Sequence, residues 1–222
     1  MTDITVRGSF SAFRSPERAT VHATISYEGP AMEPVYERVA RDLEAVKATI
    51  APLADPDGAV TSWSADQLRT WSNRPWNKDG RQLPLVHHVS VGVTVEFGDF
   101  TALSAWVGGH VAATEGFRVT NVEWALTRAH REDLVLEVRN GAVQDAVTRA
   151  QQYADALGLG VIRPVAVADA GMLAGTSSST GGPGGPQLRA MAGIGGAAPE
   201  VELMPQDIEV SVQVDARFVA GQ

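Results

Sequence analysis

The 222-residue sequence contains no cysteine, which excludes disulfide frameworks, thiolate metal centres and thiol nucleophiles within the chain. Positive charge is in the minority: 18 Lys and Arg stand against 26 Asp and Glu, a formal net charge of -8. That mean field repels a phosphate backbone unless a local basic patch overrides it, and no such patch occurs, so no nucleic-acid partner is expected. Long apolar runs are missing too. Gly, Pro or a charge interrupts each one before the roughly 18 to 20 residues a membrane-spanning helix requires. The start, Met1, Thr2, Asp3, enters an alternating pattern without the basic region and apolar stretch of a secretory signal. The expectation is a soluble, cytoplasmic protein.

What is present reads as an ordinary globular chain, 44% hydrophobic and 20% charged, with length for one large domain spanning residues 1–222. Ile4, Val6 and Phe10, then Ala19, Val21, Ala23, Ile25 and Tyr27, alternate with polar residues and predict two half-buried strands. Behind Pro34, the residues Val35, Val39, Leu43, Val46 and Ile50 recur at helical spacing. A turn is expected over Asp55 to Gly58, and a more polar strand over Val60 to Trp71. Val89, Val91, Val93, Val95 and Phe97 define a long strand with one buried face. Asp99 is placed to cap a helix presenting Phe100, Leu103, Val107 and Val111 inward. After a strand with Val122, Trp124 and Leu126 on one face, a long helix is predicted over 131–157. Its inner side carries Val143, Ala146, Val147, Ala150, Ala154 and Leu157, and Gly158 closes it. A short strand near Val165 and Val167 and a regular one over Ile208 to Phe218 flank a Gly-, Ser- and Pro-rich stretch, 171–199, expected as a flexible loop. The order predicts an α+β fold, mostly antiparallel sheet with about three helices packed on one side. The two halves are too dissimilar to predict a repeat.

Chemistry is sparse in this pattern. The five histidines, His22, His87, His88, His110 and His130, lack metal-ligand spacing, and His87 and His88 point to opposite faces of a strand. No metal is expected. There is no G-x-S-x-G elbow, and Ser177 to Ser179 lie in a Gly-rich stretch that cannot hold a hydroxyl against a base. That stretch also fails as a phosphate loop: Pro183 and Pro186 interrupt it, it has no Lys, and a strand follows it. No catalytic residue, cofactor-binding residue or cofactor is expected, and the chain is read as not an enzyme. Trp63, Trp71 and Trp76 sit among polar residues, Trp63 and Trp71 on one strand parity. They are the candidate interface, since large aromatics in polar surroundings mark contact cores, although folding over the domain's own edge also accounts for them.

These stretches together resemble the SIMPL-domain family. The helix containing Gly141, Ala142, Val143, Gln144, Asp145, Ala146, Arg149, Ala150 and Ala154, ending in Ala156, Leu157, Gly158, Leu159, is similar to the family's A-V-x-D-A-x-x-x-A helix closing in A-L-G-L. Ile4 to Gly8 resembles its I-T-V-x-G start. Pro16, Ala19 and Val21 resemble its P-x-x-A-x-V strand, and the Val91 to Val95 and Glu209 to Val214 strands resemble its valine and closing strands. The resemblance implies an α+β fold, self-association into large assemblies in some members and a loosely defined stress-related role. It implies no catalytic residues. The leading expectation is an oligomeric scaffold or stress-associated interaction module. The alternative is a small-molecule or peptide-binding module with the 171–199 loop as a lid.

Overall fold

The computed structural model describes residues 1–55, 58–76, 78, 82–173, 187–189 and 203–221. Most of the expected 171–199 loop, with Ser177 to Ser179, lies outside the described residues. The elements are β1 (Thr2–Arg14), β2 (Arg18–Gly29), α1 (Met32–Ile50), β3 (Val60–Ala65), β4 (Arg69–Asn73), β5 (Val86–Phe97), α2 (Phe100–Ala113), β6 (Phe117–Ala125), α3 (Arg128–Ala156), β7 (Arg163–Asp169), β8 (Gln187–Arg189) and β9 (Ile208–Ala220). Three helices and two antiparallel sheets make this the expected α+β fold. The chain forms two compact units. Residues 1–15 join 126–173, 187–189 and 206–221 in one; 16–125 and 203–205 form the other.

In the unit of residues 16–125 the strand order is β3-β5-β2-β6, with β4 also paired to β5. The register sets Val21 opposite Val95, Ala23 opposite Val93 and Ile25 opposite Val91, so the alternation in both strands delivers one continuous apolar face. Val39, Leu43, Val46 and Ile50 of α1 and Leu103, Trp106 and Val107 of α2 close over that face. Each such side chain contributes about 1.5–3 kcal/mol when fully buried, so tertiary burial holds the helices more than propensity does. The Asp99 carboxylate accepts from the amides of Thr101 and Ala102 at 2.8 and 3.2 Å, the predicted cap. The inward face of α2 is turned from the expected one: His110 is buried while Val111 is exposed, because the 103, 106/107, 110 spacing keeps the stripe over the sheet.

The polar strand expected over Val60 to Trp71 is two strands on the edge of β5. Ala65 pairs with Val93 but Arg69 pairs with Ser90, so the break between them slips the register by one residue. A one-residue slip exchanges the faces. Trp63, opposite Val95, and Trp71, opposite His88, therefore project to opposite sides of the sheet despite their shared parity.

In the other unit the order is β1-β9-β7, with β8 also paired to β9. The buried stripe of α3 is Leu134, Val138, Ala142, Ala146, Ala150 and Ala154, stepping by four; Val147 and Leu157, expected on the inner side, are exposed. The larger side chains are turned out because the sheet comes too close for them. A Cβ on Gly8 of β1 would lie 2.7 Å from the amide nitrogen and 2.8 Å from the Cβ of Ala146, and closer still to the Ala142 carbonyl oxygen. Beyond α3, Gly158 adopts φ +65°, and the Leu159 amide turns back to the Ala154 carbonyl at 2.9 Å, which ends the helix as predicted. Both units contain a split β-α-β motif: β2, α1 and β3 flank β5 as β1, α3 and β7 flank β9. The two units, which are not the two halves of the sequence, thus share this arrangement.

Candidate functional site

Each unit keeps one sheet face away from its helices. On the β2/β5 sheet that face carries Thr20, His22, Thr24 and Ser26 opposite Glu96, Thr94, Gly92 and Ser90. Its aromatic feature is Trp71, half-exposed, whose ring stacks on His88 at a centroid distance of 5.0 Å with the planes 4° apart. His88 is fixed from both ends. Its Nε2 lies 2.8 Å from Asn73 Oδ1 and its Nδ1 3.3 Å from Glu28. Trp63 is also about half-exposed, on the other face of the same edge, and Trp76 beyond β4 is 82% exposed. Trp63 and Trp71 therefore lie on one sheet edge, on opposite faces of it, and Trp76 is in the segment that follows β4, so the three candidate interface residues do not form one patch.

Several other polar side chains of this unit join its elements. His22 Nδ1 lies 3.3 Å from the Thr94 hydroxyl, and its buried Nε2 faces Glu123 at 3.6 Å without a hydrogen bond. His87 Nδ1 meets the Ser72 hydroxyl at 2.7 Å. Tyr27 is a hub: its hydroxyl donates to Asp42 at 2.7 Å and accepts from the Gly116 amide at 2.8 Å, while the Arg38 guanidinium lies over its ring. Burial first, and then the Asp42 carboxylate, push the Tyr27 phenol upward. Thr49 of α1 meets two side chains of α2. Trp106 Nε1 donates to its hydroxyl at 3.0 Å, and His110 Nε2 lies 2.8 Å away. The hydroxyl has one proton, and the Val46 carbonyl at 2.7 Å takes it when His110 carries its proton on Nε2. That tautomer satisfies all four groups.

Burial pulls the His110 imidazole below its ordinary value. The unfolded chain then binds the extra proton first, so stability is full above about pH 6.5 and declines as pH falls from there toward the lowered folded value. Thermal melts should show this acid-side decline in the wild type and a smaller one in His110→Phe. Equal slopes in the two proteins would remove His110 as its source.

In the other unit a shallow depression is lined by Thr5, Val6, Arg7, Leu173 and Asp215. Its charges are already matched. Arg7 Nε lies 2.7 Å from Asp215, which also accepts the Gly171 amide at 2.7 Å, and the Arg7 hydrogen bond is the main cause holding the Asp215 carboxyl below the usual range. Among the described residues no group of three or more His, Asp or Glu is placed to hold a metal ion.

Two of the motifs singled out in the sequence meet here. Gly8, from Ile4 to Gly8, rests on Ala142 and Ala146, and the next amide, Ser9 N–H, donates to Asp145 Oδ2 at 2.9 Å. The small-residue helix and the opening strand are thus the two halves of one contact, and the acid between the alanines binds strand backbone. The pattern of SIMPL, described as a protein of unknown function (DUF541), matches residues 4–218. This chain belongs to the SIMPL family. No curated protein matches it. The matched span runs from β1 to β9, so the SIMPL pattern takes in both sheets and all three helices. Within this SIMPL protein the Tyr27–Asp42 and Thr49–Trp106–His110 contacts have no signature in the sequence, because polar side chains that meet across elements leave no periodic signal. No described helix is long and apolar enough to cross a membrane.

Proposed function

We propose that this SIMPL protein is a non-enzymatic interaction module that self-associates, serving as an oligomeric scaffold, and that the β3/β4 edge of the β2/β5 sheet is a contact. The observation that carries this reading is the exposure of Trp63 and Trp71 on one sheet edge, with Trp76 exposed in the segment just beyond it. Trp63 and Trp71 lie on opposite faces, so a subunit covering the edge would touch both at once. The break in the edge disfavours simple strand addition, which leaves the aromatic side chains to carry the contact. The stress-associated role rests on the family resemblance, and a cytoplasmic location on the sequence alone.

Sedimentation velocity of the wild type and Trp71→Ala tests the contact. If Trp71 anchors it, the substitution weakens association by on the order of 2 kcal/mol or more, and the melting temperature of dilute protein changes little. A wild type that remains monomeric at micromolar concentration, or a variant that only melts earlier, would overturn the reading.

A further inference from the structure

Three of the four sheet edges are irregular. The β3/β4 edge has its slip and break, β7 has a shift beside Val165, and β6 has one opposite His22 and Ala23. Irregularity of this kind keeps an edge from accepting another strand. β1 is different. Its pairing with β9 runs from Thr2 to Arg14 without a shift, and no described strand pairs with its other side.

That side carries a guard instead. Because the Ser9 amide donates to Asp145, it points away from β9. Antiparallel alternation turns the amides of Thr5, Arg7, Ser11 and Phe13 the same way. The Asp145 carboxylate therefore stands where the carbonyl of an incoming strand would have to sit, and its charge repels that oxygen. Arg149 holds it in place, with Nε 3.1 and 3.0 Å from its two oxygens. Eight residues earlier on the same helix, Glu137 takes Arg14 at the end of β1 at 2.6 Å.

We propose that Asp145 keeps the free edge of β1 closed, and that this edge is complementary to β1 of a second copy in antiparallel pairing. With Ser9 opposite its counterpart, Arg7 meets Ser11 and Thr5 meets Phe13, so no like charges face each other. A straight edge of thirteen residues is best matched in length by itself. The pairing is isologous and uses both free β1 edges, while the β7 side is irregular, so it closes as a dimer and not a filament. It involves neither the tryptophans nor the sheet of the contact proposed above.

The test is sedimentation velocity of full-length Asp145→Ala beside the wild type over a range of concentrations, with far-UV circular dichroism as the check on folding. Self-association should tighten by about tenfold or more once the guard is gone, and the gain should persist in a Trp71→Ala background, which separates it from the tryptophan contact. Adding Ser9→Pro should abolish the gain, since proline removes the outward amide without removing a ladder bond to β9. Asp145→Asn, which keeps a neutral acceptor, should give a smaller gain that Ser9→Pro also removes, and it carries the test if the alanine variant does not fold. Asp145 variants that associate as the wild type does, or a gain that survives Ser9→Pro, would overturn the proposal.

Discussion

Gly8→Ala should destabilise the protein by roughly 3 kcal/mol, at the upper end of what overpacking usually costs. The added methyl meets the backbone of α3: the Ala142 carbonyl oxygen, and the Ala146 amide nitrogen at 2.7 Å. Neither can rotate aside as a side chain would, so the helix must lift from β1 or the strand must bend. Ordinarily alanine in place of a strand glycine is favoured by about 0.5–1 kcal/mol of unfolded-state entropy, which makes the expected sign itself informative. Ala146→Gly removes only the third obstacle, the Cβ at 2.8 Å, so it should restore little of the loss. Chemical denaturation of the single and double variants measures both. A Gly8→Ala protein as stable as the wild type would mean that α3 and β1 are not in close contact.

The same contact shows why some elements were legible in the sequence and others were not. β5 and β9 carry apolar residues at alternate positions over most of their lengths, valine above all in β5, and both are legible in the sequence as regular strands. On α3 the periodicity predicts the helix but draws its buried side toward Val147 and Leu157, because hydrophobicity ranks them above alanine. The structure chooses alanine since Gly8 brings the strand backbone up to the helix, a constraint written in a residue more than a hundred positions away. The sequence shows β3 and β4 as one strand for a related reason. The slip that separates Trp63 from Trp71 depends on how each piece pairs with β5, and no local pattern encodes it. Of the candidate surface, the sequence identified the aromatic residues but placed two of them on one face. Asp145 belongs to the small-residue helix pattern, and its role becomes visible only with the strand it touches.

Trp106→Ala should cost about 3–5 kcal/mol, the usual range for removing a buried large aromatic. Trp106 is buried with Phe97 and Phe117 at ring distances of 5.6 Å each and His110 at 4.9 Å, and it supplies the donor to Thr49. Trp106→Phe keeps most of the packing and loses that donor, so roughly 1–2 kcal/mol is expected. The two variants together separate cavity from hydrogen bond. Histidine provides a readout that a purely structural loss would not move. His110 is held below its ordinary titration value by burial, and the Trp106 ring forms one wall of that burial. Opening the wall in Trp106→Ala should let water reach the imidazole and return its titration toward about 6.5, followed by nuclear magnetic resonance of the His110 ring. The acid-side loss of stability should shrink in step, because the difference between folded and unfolded proton affinity has narrowed. If His110 in Trp106→Ala titrates as it does in the wild type while stability falls, its environment is set by Phe117 and the sheet, and Trp106 only fills space.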